Sequence, residues 1–234
     1  MDFKGHFAMR EGRCHPLTVL DDHSRYSLGL CACGNERTET VKAGLTGLFE
    51  RYGLPLQMLA DNGSPWGTAG SEERHTVLTV WLLDLGVEVT HGRPFHPQTQ
   101  GKDERFHRTL MAEVINGRIF GDLAEAQRAF DEWRPIYNDK RPHEGIAMAV
   151  PSSRYEPSPR PMPKSIPKPE YEEQAHVRKV RGCGAVSFKG HRVPVSKAFA
   201  GRYVALRATN IDGRFDLCYR HHRLGQVDLA QSMV

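Results

Sequence analysis

The sequence predicts an α/β domain, a mixed sheet flanked by helices, followed by a small all-β barrel domain. Three observations predict it. Over residues 1–150 the hydrophobic period switches between the repeats of strand and helix in the order ββ(β)–α–β–α–β–α–α. Seven prolines then fall within the 23 residues PSSRYEPSPRPMPKSIPKPEYEE, the composition of an extended, semi-rigid linker. Beyond them come short alternating strands, with turns marked by Gly182, Gly190, Gly201, the Asp212-Gly213 pair and Gly225, the pattern of a small β-barrel. The expected organisation is a domain over 1–150, a linker over 151–175 and a β-barrel over 176–234.

The elements follow in order. HPLTVLDD is an apolar strand ending at Asp21-Asp22, and RYSLGLCAC alternates over the next strand. Glu36 to Tyr52 reads as a helix whose buried face is Val41, Leu45, Leu48 and Phe49, stopped by Gly53-Leu-Pro55. LQMLAD is a short buried strand ending at Asp61, and the Gly/Ser/Pro-rich loop DNGSPWGTAGSEE follows it. His75 to Leu85 is a second helix and VEVTH a short strand. The HPQTQG loop leads into a long helix over roughly 99–116, and another covers about 122–138. No internal repeat is evident.

Composition narrows the class. A hydrophobic content of 39% with 26% charged residues is that of an ordinary globular chain. No apolar run approaches the roughly 18–20 residues of a membrane span, and MDFKGHFAMREGR is too polar for a signal peptide. Cys14, Cys31, Cys33, Cys183 and Cys218 form no CxxC pair, so they read as reduced cysteines of a bacterial-type cytosol. Net charge is +4, yet residues 1–150 hold 17 basic against 21 acidic groups and residues 176–234 hold 11 against three. An acidic body with a basic C-terminal module points to a polyanionic partner, nucleic acid first. The expected location is the bacterial cytoplasm, on the nucleoid when bound to DNA.

HPQTQGKDERFHR, residues 96–108, sets two adjacent carboxylates at a helix start. Alone, Asp103 and Glu104 are ordinary partners for free N–H groups and the helix dipole. Asp2 at the first strand and Asp61 at the end of a buried one change that reading, because ligand chemistry collects at strand ends in α/β folds. Three carboxylates converging there form a hard, oxygen-only site suited to Mg²⁺ or Mn²⁺. Periodicity aims Asp103 at the sheet, since the apolar arc through Phe106, Leu110 and Val114 is centred nearer to it than to Glu104.

DF in the first strand, LDDHSRYSLG, L..ADNG, HPQTQGKDER and YNDKRPHEG occur in the order found in the DDE transposase and retroviral-integrase superfamily. The chain resembles the integrase-type catalytic core of bacterial insertion-sequence transposases. V..V...G.VSFKGHRVPVS...AGRYVALR resembles the small β-barrel that follows that core in one transposase group. The resemblance implies an RNase H-like fold over 1–150 and a catalytic, metal-binding triad of Asp2, Asp61 and Glu104. It also implies two Mg²⁺ (or Mn²⁺) ions, DNA 3′-end cleavage with strand transfer, and a homo-oligomer assembled on element ends and target DNA. Asp21 and Asp22 match a non-catalytic position beside Ser24 and Arg25. Lys102, Arg105, Arg108 and Arg141 are candidate phosphate contacts, joined by Lys179, Arg181, Lys189 and Arg192 of the basic module. Asn62 positions a ligand or backbone, and Tyr137, Asn138, Arg141 and His143 brace the active-site helix or touch DNA, with bracing the favoured reading. His221-His222 reads as a surface pair.

Two departures carry expectations. Forty-two residues separate Asp61 from Glu104, more than the family gap, and the surplus in SPWGTAGSEER is expected to loop out near the site. The helix-turn-helix domains of related transposases do not precede Asp2 here, so the first strand is expected to fray. The rivals are a non-catalytic DNA-binding or assembly fragment and an RNase H-like nuclease that only hydrolyses.

Overall fold

The computed structural model describes residues 1–67, 75–91 and 101–230. The surplus loop expected over 64–74 and the HPQTQG turn therefore lie largely outside the described residues. The chain forms two compact units, Met1–Pro65 with Thr90–Met162, and Trp66–Val89 with Pro163–Val234.

The first unit opens with β1 (Asp2–Phe3), β2 (Phe7–Ala8), β3 (Arg13–Leu20) and β4 (Ser27–Cys33). β3 is central: antiparallel β1 and β2 share one edge, and antiparallel β4 takes the other. Its residues Pro16–Val19 are buried, as a strand paired on both edges requires. α1 (Thr38–Tyr52) buries Val41, Leu45 and Phe49, while Leu48 is half-buried. Gly53 ends it at φ +80°, where a Cβ would lie 2.4 Å from the Ser158 carbonyl. That closeness reflects the proline-rich segment crossing here. Ser158 N–H donates to Tyr52 O at 2.9 Å, Leu54 N–H to Arg160 O at 2.7 Å, and Tyr155 stacks on Tyr26 at 4.3 Å.

β5 (Gln57–Ala60) follows, then α2 (Val77–Asp84) and β6 (Glu88–His91). α3 (Gly101–Leu110) continues into a π-helical turn over Met111–Ile115, and α4 (Leu123–Pro135) into another over Ile136–Lys140. Asp122 caps α4 by accepting Glu125 N–H at 2.8 Å. The two helices close the core with Phe106, Leu110, Val114, Phe130, Trp133 and Tyr137 packed on Cys14 and Leu30 of the sheet.

The second unit holds α2 and six strands: β7 (His176–Lys179), β8 (Ala185–Phe188), β9 (His191–Pro194), β10 (Tyr203–Ala208), β11 (Arg214–Tyr219) and β12 (His222–Asp228). Their order is β12–β11–β10–β7 in one antiparallel sheet, with β8–β9 a separate hairpin. The module is all-β as expected, but among the described residues its ladder does not close into a barrel. The turn at Arg181–Gly184, with Gly184 at φ +77°, breaks the ladder between β7 and β8. Side chains close the core instead: Val186, Phe188, Val193, Val204, Leu206, Phe215 and Leu217 pack with Val80 and Leu83 of α2. The second helix, read from sequence within residues 1–150, is thus part of the hydrophobic core of the β unit.

Asp84, at the end of α2, is 3% exposed and is held from three sides. Its Oδ1 accepts from Tyr219 Oη and from Arg220 Nε at 3.2 Å, and its Oδ2 pairs with Arg202 Nη1 at 2.5 Å. A buried carboxylate persists only when its lone pairs and charge are answered in this way.

Candidate active site

Two strands place the first two carboxylates. β1 is registered on β3 by the Asp2–Thr18 pair, and the Met1 ammonium donates to Leu59 O at 2.8 Å. Asp2 is therefore not frayed, contrary to the sequence expectation, because its strand is anchored on both sides. Asp61 follows β5. Its Oδ1 accepts Gly63 N–H at 3.0 Å, and its carbonyl lies 2.7 Å from His91 Nδ1, which donates in the tautomer protonated there. A Cβ on residue 63 would come within 3.1 Å of the Asp61 carboxylate, so glycine lets this turn close on it.

The electrostatics of the edge are one-sided. Burial pushes the Asp2 carboxyl up to about 7; the Asp61 and Asp103 charges add to the rise, while the terminal ammonium and a backbone hydrogen bond oppose it. Burial also holds the Asp103 carboxyl above its usual range, with Asp22 adding and the ammonium and Lys102 opposing. Glu104 is exposed. The charges of Asp61 and Asp103 both act on Asp2, and Asp103, half-buried where Glu104 is exposed, lies on the side of α3 that periodicity favoured. Among the described residues no three carboxylate, histidine or cysteine groups are gathered as metal ligands. Asp2 and Asp61 nonetheless fit a hard divalent cation: both offer oxygen donors, and the Asp2 charge is disfavoured by its acidic neighbours.

The candidate cations are distributed as follows. Lys102 pairs with exposed Asp22, and Arg105 lies 3.9 Å from exposed Glu144. Such surface pairs contribute little. Arg108 is exposed. Arg141 pairs with Glu113, which also accepts Trp133 Nε1–H at 2.8 Å. Lys179, Arg181, Lys189 and Arg192 are exposed in the second unit, where Lys189 Nζ lies 4.6 Å from the Phe215 ring centre.

Neighbouring residues have structural partners. Asp21 accepts Ser24 N–H and Oγ–H at 2.8 and 2.6 Å, holding the turn after β3. Asn62 is exposed. Tyr137 meets Phe106 of α3 edge-to-face at 4.8 Å and His143 at the same distance. Asn138 exchanges two hydrogen bonds with the Ser27 backbone, at 2.8 and 3.2 Å. His221 is exposed, but His222 is half-buried and burial lowers its imidazole to about 4, correcting the surface reading of that pair. The Cys14 thiol is pushed up to about 12 and Cys33 to about 11 by burial, so neither is a ready nucleophile. Sequence reasoning missed Thr18 and His107, whose only signal is that His107 lies one turn beyond Asp103.

Residues 1–97 and 85–151 match the integrase core domain family, and residues 175–234 match the C-terminal domain of IS481 family transposases. The class is thereby defined: this chain belongs to the superfamily of insertion-sequence transposases and retroviral integrases. More particularly, it is similar to a protein of Geobacillus stearothermophilus assigned as the transposase of insertion sequence element IS5376, 24% identical over 78% of this chain and 45% of that one. It is also similar to the uncharacterized 39.2 kDa protein of insertion element IS476 from Xanthomonas euvesicatoria, 26% identical over 65% of this chain and 42% of that one. The chain spans a little under half the length of these curated relatives. Among solved structures, the catalytic core domain of BIV integrase aligns over 66% of this chain and 91% of its own, with 22% identity and a TM-score of 0.46. No helix among the described residues is long and apolar enough to cross a membrane.

Proposed function

We propose that this chain is the catalytic core and C-terminal module of a DDE-type polynucleotidyl transferase that cleaves DNA 3′-ends and joins them to target DNA. The observation that carries the reading is the acidic edge at Asp2 and Asp61, where burial and like charge push the Asp2 carboxyl up to about 7. Asp2 and Asp61 bind a divalent cation, Mg²⁺ or Mn²⁺, and a third carboxylate from the first turn of α3 completes the set. The resemblance assigns that role to Glu104. Metal bound there supplies an activated water or 3′-hydroxyl and stabilises charge on the leaving oxygen. Lys102, Arg105 and Arg108 hold the phosphates of the reacting strand, while Lys179, Arg181, Lys189 and Arg192 hold flanking duplex. Water attack on phosphorus releases a 3′-hydroxyl, which then attacks a target phosphodiester, so no protein nucleophile is required. The working assembly contains more than one copy of the chain on DNA.

The test is Mn²⁺-dependent nicking and joining on DNA bearing the element's ends. Activity abolished by Asp61→Asn supports the reading, and Mn²⁺-dependent activity unchanged by that substitution overturns it. Joining, rather than cutting alone, separates it from a hydrolytic nuclease. A second reading, a non-catalytic DNA-binding or assembly fragment, is favoured by the exposure of Glu104. DNA binding without Mn²⁺-dependent cleavage would select it.

A further inference from the structure

α3 carries the third carboxylate, yet its first turn needs a fixed seat on the strand that carries the first. The described residues contain such a connection. Thr18 of β3 is fully buried, and its Oγ donates to the Asp2 carbonyl at 2.9 Å. That donation consumes the only hydroxyl proton, so the 2.8 Å contact with His107 Nε2 is a bond that Thr18 accepts. His107 is then protonated at Nε2. The result is a chain from α3 through the imidazole and the hydroxyl to the backbone of Asp2. His107 stands one helical turn from both acidic residues, at i+4 from Asp103 and i+3 from Glu104, so it fixes the face on which either is presented.

We propose that His107 is a positioning residue: by donating to Thr18, it fixes the rotation and register of α3 against β1, and so the distance between the helix-borne carboxylate and Asp2. It touches neither metal nor DNA. The inference rests on the metal-binding reading of Asp2 and Asp61. It resembles the outer partners of metal ligands, whose loss weakens metal affinity about 10–100-fold.

The test is Mn²⁺ binding to the full chain by electron paramagnetic resonance, without DNA. Asp61→Asn first checks the site itself; binding insensitive to it overturns the metal reading and this inference together. With that control passed, His107→Leu and Thr18→Val each raise the Mn²⁺ dissociation constant about tenfold. His107→Gln keeps an N–H near the Nε2 position and restores affinity to within about twofold, a rescue that mere filling of the space would not give. The double variant His107→Leu/Thr18→Val is no weaker than Thr18→Val alone, because both remove one connection. Parent-like affinity in His107→Leu, or an equal loss in His107→Gln, overturns the proposal. His107 is half-buried, so the Leu and Gln variants decide the matter even if Thr18→Val does not fold.

Discussion

Asp2 and Asp84 are two shielded carboxylates treated in opposite ways. Asp84 in the second unit is met by Arg202, Arg220 and Tyr219, and its charge is answered inside the protein. Asp2 in the first unit has its pKa raised by burial and then by the charges of Asp61 and Asp103, with the terminal ammonium and a backbone hydrogen bond opposing the rise. A carboxylate with three donors is a lock. On the proposed reading, a carboxylate whose neighbours are further carboxylates calls for a cation from solution. On that reading the difference separates a structural acid, Asp84, from the proposed metal ligand, Asp2.

The comparison is sharpened most by chemistry. Asp61→Asn should reduce Mn²⁺-dependent strand joining by at least ~10³-fold while leaving folding intact, the scale expected when an essential catalytic group is lost. In the same assay, loss in Glu104→Ala with sparing in Asp103→Ala means that α3 presents Glu104 when metal and DNA bind. The reverse result assigns the role to Asp103, whose charge adds to the rise at Asp2 in this structure.

Asp84→Ala should behave as the opposite case, with stability rather than chemistry as its readout. Removing the carboxylate leaves Arg220, whose side chain is 14% exposed, without its partner. The cost is about 3 kcal/mol, read from urea denaturation followed by tryptophan fluorescence. A cost under about 0.5 kcal/mol would break the contrast.

The pH response follows from Asp2. Its folded pKa of about 7 lies above the ordinary 3.8, so between those values the folded state holds more protons than the unfolded one. Its contribution to stability is full below about pH 4 and is lost as pH rises through 7. The thermal midpoint of metal-free protein should therefore carry a decline over that window which Asp2→Asn removes; an unchanged slope in Asp2→Asn would refute the assignment.

The smallest effect is spread over the second unit. Replacing Lys179, Arg181, Lys189 and Arg192 with Ala should lower the slope of log affinity against log salt by up to about 4, near one for each phosphate no longer neutralised. Point substitution suits this test better than deleting residues 176–234, which would strip the β side of the core from Val80 and Leu83 of α2. An unchanged slope would remove these four residues from the DNA interface.

Much of the local structure was legible. α1 followed from the spacing of Val41, Leu45 and Phe49, and Asp61 could be placed at a strand end because a short apolar run meets a turn there. The choice between Asp103 and Glu104 was only half legible. Periodicity reports which side of a helix meets the core, and it pointed to the half-buried side that carries Asp103. A catalytic role depends on ligands that periodicity does not include. Thr18 and His107 were silent because a hydrogen bond across 89 residues leaves no spacing to read.

The sequence by itself determined the element order, the acidic body with its basic tail, and the motifs that align with transposases and integrases. Each of these is fixed by side-chain pattern over neighbouring residues. Only the tertiary structure decided that α2 completes the core of the β unit, that Asp84 is locked across 135 residues to Tyr219, and that the Asp103 charge acts on Asp2. The reason is physical. A helix that is apolar at nearly every position, as α2 is from Leu78 to Leu83 apart from Thr79, announces burial but not which surface will bury it. That choice belongs to shape and charge, which meet only when the chain has folded.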